Sequence, residues 1–440
     1  MNKEMYTAFI EILKSELVPA LGCTEPGAIA YAAAKAAATL GNFPEGMNIK
    51  CSGNIIKNVK GVVVPNSGGL RGIEAAAILG AIAGECTTDH KLEVLNHVTE
   101  PDIEKAKELL QKNFCKCTLQ EGESNLYIDI VVACKEHSAQ VIVKDSHTNI
   151  VLIKKDSDII FEKNLEENSI KLEEKKKLLN VKDIVAFADI VKIGEVKTIL
   201  DYQICVNTAI AEEGLTNEYG AAVGKTLLES YGNDIKIRAK AKAAAGSDAR
   251  MAGSSMPVVI NSGSGNQGIT VTVPVVEYAK ELDVSQEKMY RALLISNLVS
   301  IHMKKYIGKL SAFCGAVSAA CGSGAAITYL HGGSFEDISS TIINTVGNVG
   351  GILCDGAKAS CAAKIASALD AAIMAHNMTV QKRRFQGGEG IVTDDIEKTI
   401  ENIGYIGRDG MRETDTEILH LMIGDEPNAN RYQSPEIVSD

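Results

Sequence analysis

The sequence predicts an α+β fold, a predominantly helical body with a small antiparallel β-containing insertion. Three observations support this: helical periodicity in the first hundred residues, short valine- and isoleucine-rich runs between about 114 and 156, and a long glycine- and alanine-rich remainder. With 440 residues, 45% of them hydrophobic, the chain exceeds one ordinary domain and can bury a substantial core.

The N-terminal part is predicted to be mostly helical. Apolar residues recur at helical spacing over 4–18, 25–40, 70–84 and 101–112. The segment 48–66 is apolar and punctuated by glycine, so we expect it to be extended.

The pattern changes after residue 114. The runs CKCTLQ, NLYIDIVVAC, AQVIVKD and NIVLIKKD are separated by short polar turns, which is typical of an antiparallel meander. We therefore predict a helical domain that carries the chemistry, formed by 1–90 and 181–440, and a small α/β accessory domain at 91–180.

Charge and hydropathy indicate which kinds of binding partner and which cellular location are disfavoured for this chain. The 56 acidic residues outnumber the 45 basic ones, and the net charge of -11 argues against binding nucleic acid or an anionic membrane surface. The N-terminus reads as a charged amphipathic helix without the apolar core of a secretory signal, and no apolar run reaches 18 residues. We expect a cytoplasmic protein that has no membrane partner.

Four of the eleven cysteines lie in the glycine- and alanine-rich region, as Cys314 with Cys321 and Cys354 with Cys361. Seven residues span about 10.5 Å along a helix, too far for two ligands of one compact cluster, so a loop must intervene. Gly315 and Gly356 follow the first cysteine of each pair, which favours a turn there and a helix carrying the second cysteine. The spacing permits two interpretations, thiolate ligands of an iron-sulfur cluster or small core residues.

Cys23 is predicted to lie at a helix N-terminus, because Pro26 favours the first helical turn. The partial positive charge there lowers a thiol pKa, which would make a thiolate available as base, nucleophile or metal ligand. A buried structural cysteine is the alternative.

Two glycine-rich turns could hold a carboxylate or phosphate with their amides. Their candidate side chains are Asn66, Ser67, Ser262, Ser264 and Asn266. Neither turn fits a P-loop or a dinucleotide-binding motif. Arg71 and Arg250 are nearby in sequence and are expected to be solvated, and His302 receives no role.

Six segments, which follow one another along the chain in the same order, carry a resemblance to a known family: LGCTEP, IIKNVKGVVVPNSGG, INSGSGNQGI, KLSAFCGAVSAACG, GGILCDGAKASCAAK and IGYIGRDGM. With these segments the sequence resembles the L-cysteine desulfidase family, which is related to the alpha chain of iron-sulfur-dependent bacterial L-serine dehydratases. The likeness covers nearly the whole chain.

The resemblance implies a 4Fe-4S cluster bound by Cys314, Cys354 and Cys361, with Cys23 in the active site as acid/base or fourth ligand. Cys321 falls outside this triad and stays the alternative ligand. The implied reaction is β-elimination of L-cysteine to pyruvate, ammonia and hydrogen sulfide, with the glycine-rich turns orienting the substrate carboxylate.

Three other functions stay open at this point. The same cluster could dehydrate L-serine, the chain could be a non-catalytic iron-sulfur sensor or electron carrier, or its cysteines could merely pack in a metal-free binding protein. The sequence is compatible with a homo-oligomer but does not determine one.

Overall fold

A computed structural model of the chain describes residues 1–86, 91–163, 168–308 and 310–424, and the side chains of 168–171 are not described. The N-terminal part contains α1 (Lys3–Glu16), β1 (Pro19–Leu21), α2 (Thr24–Leu40), β2 (Gly46–Cys51), α3 (Gly53–Val59), α4 (Gly72–Ala83) and α5 (Glu100–Gln111). The four predicted helices are confirmed as α1, α2, α4 and α5.

The segment 48–66 is only partly extended. It begins in β2 and then forms α3, because Ile55, Ile56 and Val59 recur at helical spacing and are buried together. A helix over 53–59 was not expected from the glycine-punctuated sequence. It places Lys57 and Asn58 on a buried surface, which matters for the site described below.

One six-stranded sheet follows the predicted change of pattern. Its later strands are β3 (Cys115–Leu119), β4 (Tyr127–Cys134), β5 (His137–Lys144), β6 (Ile150–Lys155) and β7 (Asp158–Glu162), and the spatial order is β3-β2-β4-β5-β6-β7. Strands β4 to β7 form the predicted antiparallel meander. Strand β3 instead pairs in parallel with β2, because the helices between them carry the chain back to the same end of the sheet.

The sheet packs against α2 and α4. Alternate residues of the central strands, such as Ile128, Ile130 and Val132, are buried in a core shared with these helices. Strand β2 and α2 come from residues before 90, so this core draws on both sides of that predicted boundary. The division of the chain into two domains stays a prediction.

The rest of the described chain is helical apart from one short strand. It contains α6 (Asn168–Lys177), α7 (Val181–Ile190), α8 (Lys197–Thr216), α9 (Val223–Tyr231), α10 (Ile235–Met251), β8 (Pro257–Val259), α11 (Gly265–Glu281), α12 (Gln286–Ile307), α13 (Gly315–Leu330), α14 (Phe335–Val349), α15 (Cys361–Val380), α16 (Ile396–Tyr405), a π-helical turn (Ile406–Gly410) and α17 (Arg412–Ile423). Together with the mixed sheet, these helices confirm the predicted α+β class.

Helix α13 lies at the centre of the body and packs against α11, α12, α14 and α15. It is buried almost all round and consists mainly of glycine, alanine and serine, which allows close helix approach. A Cβ at Gly322 would overlap the backbone oxygen of Ser296 in α12. No helix in the described ranges has both the length and the apolarity that crossing a bilayer requires.

The pairing of strand β1 with strand β8 brings together two segments that are distant in sequence. They pair antiparallel, with Pro19 opposite Val259 and Leu21 opposite Pro257. The chain leaves β1 towards Cys23 and leaves β8 towards the turn at 261–264, so this small ladder brings together segments about 240 residues apart in sequence. The Thr24 hydroxyl then donates to the carbonyl oxygen of Gly263 at 2.9 Å.

Candidate active site

Four helices begin at the wall of one cavity of about 100 Å³. Cys23 is the N-cap of α2, Ser264 the N-cap of α11, Cys314 the N-cap of α13, and Cys361 the first residue of α15. Helix N-termini carry partial positive charge and unpaired backbone N–H groups. The cavity is therefore suited to a negatively charged occupant.

Backbone pairing fixes Cys314 beside Cys354. Phe313 and Leu353 form an antiparallel bridge, and the Cys354 amide donates to the carbonyl oxygen of Ala312 at 2.6 Å. Cys354 lies in the loop before α15, and Gly356 in that loop has a φ of 96°. The predicted arrangement, with a turn at the first cysteine and a helix carrying the second, is confirmed for both pairs.

The Cys314 and Cys354 thiols interact with each other, and the interaction shifts their two pKa values in opposite directions. A hydrogen bond from Cys314 lowers the pKa of Cys354 to about 6, and the positive charges of Lys57 and Lys364 act in the same direction. The same interaction, with burial, raises the pKa of Cys314 well above its usual value. Burial raises the pKa of Cys361, whose Sγ lies 3.7 Å from the carbonyl oxygen of Gly356. Cys354 is therefore the more easily ionised thiol of the pair.

Two buried cations line the cavity itself, Lys304 and Arg250. Burial lowers the pKa of Lys304 to about 8, while the charges of Cys354 and Cys314 oppose that shift. Arg250 is 3% exposed, and its Nε donates to the carbonyl oxygen of Gly22 at 2.9 Å. The expectation that Arg250 is solvated was wrong, because α10 carries it beneath Gly265, where a Cβ would overlap the guanidinium.

Two further lysines lie behind the cysteines. Lys57 is buried and forms an ion pair with Asp415 of α17, and Lys364 forms one with Asp355. Both contribute to lowering the pKa of Cys354. Positive charge from Lys57, Lys364 and Arg250 thus favours the ionised forms of Cys354 and Cys361.

Cys23 is paired with a buried carboxylate. Its Sγ donates to Glu25 Oε2 at 3.0 Å, and burial together with the Glu25 charge raises the pKa of Cys23 well above its usual value. The predicted lowering of this pKa was wrong, because burial and the adjacent anion outweigh the helix N-terminus. Burial also opposes ionisation of Glu25, yet its pKa is held well below the usual range by His147 and the Cys23 thiol. His147 Nε2 lies 3.9 Å from Glu25 Oε1.

Amide side chains complete the wall. Asn58 Nδ2 donates to Glu25 Oε1 at 3.0 Å. Asn58 Oδ1, Asn266 Oδ1 and Gln267 Oε1 are buried and have no hydrogen-bond partner in the described part of the chain. The Gln267 amide lies over Gly315, where a Cβ would stand 2.6 Å from its Cδ. These three oxygens are acceptors that a ligand could satisfy.

The chain matches the family model of the serine dehydratase alpha chain over residues 89–420. The chain belongs to the serine dehydratase alpha chain family. It is also 54% identical to a UPF0597 protein of Lachnoclostridium phytofermentans, over 95% of this chain and 100% of that protein. UPF0597 proteins of Finegoldia magna and Treponema denticola are each 49% identical, over 94% and 97% of this chain and 99% and 100% of those proteins.

Six of the predicted site residues line the cavity described above. They are Cys23, Ser264, Asn266, Cys314, Cys354 and Cys361. The other three predicted residues lie elsewhere: Asn66 Nδ2 donates to the carbonyl oxygen of Leu95, and the Ser67 and Ser262 hydroxyls donate within their own turns. Their substrate-binding role stays a prediction.

Three residues to which the sequence assigned no definite role lie outside the cavity: Cys321, His302 and Arg71. Cys321 is fully buried in the core around α13, away from the cavity, and burial raises its pKa. His302 is also buried, and its Nε2 lies 2.7 Å from Glu397 Oε2. Arg71 donates to the carbonyl oxygen of Gly61 on an exposed surface.

Besides Arg250, four charged or amide residues of the cavity were not predicted: Glu25, Asn58, Gln267 and Lys304. The first three stand inside the segments LGCTEP, IIKNVKGVVVPNSGG and INSGSGNQGI, which carry the family likeness, and Lys304 lies just before another. The available signal was a polar residue inside an otherwise apolar or glycine-rich matching segment.

The donor set fits an anionic cluster better than a single ion. Within the ranges described, no three His, Cys, Asp or Glu side chains meet in the arrangement that one metal ion needs. Cys314, Cys354 and Cys361 nevertheless line one cavity, among cations and helix N-termini. A cluster is wider than an ion, so its thiolate ligands need not converge on a point.

Proposed function

We propose that this member of the serine dehydratase alpha chain family is an L-cysteine desulfidase. It would eliminate sulfide from L-cysteine to give pyruvate, ammonia and hydrogen sulfide. The observation that carries the proposal is the shared cavity of Cys314, Cys354, Cys361 and Cys23, which four helix N-termini and buried cations make electropositive. Family membership supports a lyase reaction, and the choice of cysteine over serine rests on the sequence likeness.

The proposed cofactor is a 4Fe-4S cluster held by Cys314, Cys354 and Cys361. When bound, a cluster with one iron free of protein thiolate would supply Lewis acidity towards the leaving group. The charges of Lys57 and Lys364 would hold the cysteine ligands as thiolates, since a nearby cation favours the charged form of a thiol.

The substrate carboxylate would bind at Arg250 and Lys304. Both are buried at the cavity, so their charge is poorly screened by water. The Ser264 hydroxyl accepts from the backbone N–H of Gln267 at 3.5 Å and can still donate its own hydrogen to a ligand. The N-terminus of α11 adds partial positive charge at the same place.

Cys23 and Glu25 would act together on the α-proton. Because Cys23 is a thiol that donates to Glu25, it can accept a carbon-bound proton at Sγ as its own proton passes to Glu25 Oε2. The electron pair released at the α-carbon forms the double bond to the β-carbon, and hydrosulfide leaves with the electrons of the carbon-sulfur bond. The aminoacrylate then tautomerises and is hydrolysed to pyruvate and ammonia. Fourth-ligand duty for Cys23 is the alternative within this proposal.

L-Serine dehydration is the second candidate, because the matching family is described as the serine dehydratase alpha chain. The deciding experiment compares kcat/KM for L-cysteine and L-serine on anaerobically purified protein, with iron and labile sulfide measured on the same sample. We expect a higher kcat/KM for L-cysteine. A higher value for L-serine would replace the proposal, and a full cluster without turnover of either amino acid would favour a sensor.

Location and assembly belong to the same proposal. A cluster held by thiolates needs a reducing compartment, so we place the protein in the cytoplasm, acting on a small amino acid. A homo-oligomer is part of the proposal without a defined interface.

A further inference from the structure

We propose that Asn58, Asn266 and Gln267 form a subsite for the α-ammonium group of the substrate. This inference rests on the proposed amino-acid lyase function. It assigns a chemical task to Asn58 and Gln267, and it gives the ammonium group to Asn266, which the sequence had suggested for the carboxylate. It predicts that the protein selects α-amino acids and rejects the corresponding acids that lack the amino group.

The first support is a matched count of donors and acceptors. Asn58 Oδ1, Asn266 Oδ1 and Gln267 Oε1 are buried acceptors without a partner among the described residues, and all three residues line the same cavity. Buried acceptors are rarely left unpaired in folded proteins. An ammonium group has three N–H donors and no acceptor, so one such group could satisfy all three oxygens.

The second support is the orientation of the Asn58 amide. Its Nδ2 donates to Glu25 Oε1 at 3.0 Å, which leaves its oxygen as the atom available to a ligand. Glu25 also accepts from the Cys23 thiol and the Thr24 hydroxyl, each at 3.0 Å, so a carboxylate that acts only as an acceptor lies beside the Asn58 amide. A cation is therefore favoured beside Asn58.

The third support is the distribution of charge. Arg250 and Lys304 supply positive charge to the cavity, and Glu25 supplies negative charge. A cavity with both signs and three idle acceptors matches a zwitterion better than a simple carboxylic acid. Gly315 gives the Gln267 amide its place beside Cys314, so the ammonium would stand next to the cysteine ligands.

The test uses two ligands that differ only in the ammonium group, L-alanine and propionate. Neither has a leaving group on the β-carbon, so calorimetry can measure binding to the cluster-loaded full chain without turnover. We expect the wild type to bind L-alanine about ten-fold more tightly than propionate, or better, from charge-assisted hydrogen bonds. Equal affinities would overturn the subsite, as would failure of L-alanine to bind.

A matched pair of variants at one position gives opposite expectations. Gln267→Met keeps the length of the side chain but removes the acceptor, and should reduce the L-alanine to propionate preference about ten-fold. Gln267→Glu keeps an acceptor and adds negative charge, so the preference should be kept or increased. If Gln267→Glu instead weakens L-alanine as much as Gln267→Met does, Gln267 does not bind the ammonium.

Asn266→Leu and Asn266→Asp repeat the comparison at a half-buried position if the Gln267 variants do not fold. Gln381→Met, at an exposed position outside the cavity, makes the same substitution as Gln267→Met and is the control, so it should leave the preference unchanged. Failure of the two proposals is distinguishable. A preserved ammonium preference without L-cysteine turnover would refute the desulfidase and support the subsite, whereas turnover without that preference would refute the subsite alone.

Discussion

Gly356→Ala should damage the site by moving the loop that carries Cys354. Gly356 has a φ of 96°, and a Cβ there would overlap the backbone oxygen of Lys57 in α3. The left-handed conformation costs a non-glycine residue about 1–2 kcal/mol, and forced overpacking against backbone adds about 1–3 kcal/mol. We therefore expect a loss of about 2–5 kcal/mol in the free energy of unfolding, unless the loop shifts.

A shift of the loop would relieve this strain but would separate Cys354 from Cys314, so stability should fall if the loop stays in place and cluster content should fall if it moves. The assay combines chemical denaturation with iron and labile sulfide per chain after anaerobic reconstitution. Gly351→Ala in the same loop is the matched control, because a Cβ there has no neighbour within 4 Å. Equal stability and equal iron content in the two variants would refute the argument.

Three further predictions test the ligands, the proton pair and a buried histidine. Cys361→Ala should lose most of its iron. Cys321→Ala should keep its iron and lose only about 1 kcal/mol of stability, since Cys321 packs in the core. Iron analysis of both variants tests this, and equal iron contents would contradict the choice of Cys361 over Cys321 as a ligand. Glu25→Gln keeps a hydrogen-bond acceptor for Asn58 but removes the carboxylate that takes the proton, so kcat should fall about 10²-fold or more with a smaller change in KM. An unchanged kcat would contradict the proposed action of Cys23 and Glu25 on the α-proton. Burial, together with the His331 charge, lowers the pKa of His376 from 6.5 to about 4 in the folded protein. The stability that depends on neutral His376 is therefore complete above pH 6.5, and about 3 kcal/mol of it is lost as the pH falls towards 4. Denaturation midpoints measured across that range should fall with pH, and His376→Gln should reduce the slope.

Local patterns in the sequence were sufficient for much of the fold. Apolar periodicity located α1, α2, α4 and α5, and the valine-rich runs located the meander, because these signals depend on neighbours a few residues apart. The parallel pairing of β2 with β3 depends on how three helices return the chain, which no local pattern records. The same limit explains why α3 was missed inside an apolar, glycine-punctuated segment.

The candidate site divides in the same way. Glycines after Cys314 and Cys354 indicated the turns correctly, and proline indicated the helix start at Cys23. The protonation of Cys23 was not predictable, because it depends on burial and on Glu25, and the burial of Arg250 depends on packing beneath Gly265. Asn66 and Ser67 resembled the second turn in sequence, yet β1 pairs with β8 and so brings only the turn at 261–264 to the cavity.

The four helix starts around the cavity also constrain the order of biogenesis. The first of them follows Cys23 and the last begins at Cys361, so the wall is incomplete until more than three quarters of the chain has left the ribosome. A cysteine emerging early has no partner thiols with which to retain iron. If the proposed cluster is bound, its three ligands are complete only after Cys361 has been synthesised, and the cluster must then enter a cavity whose residues are mostly buried.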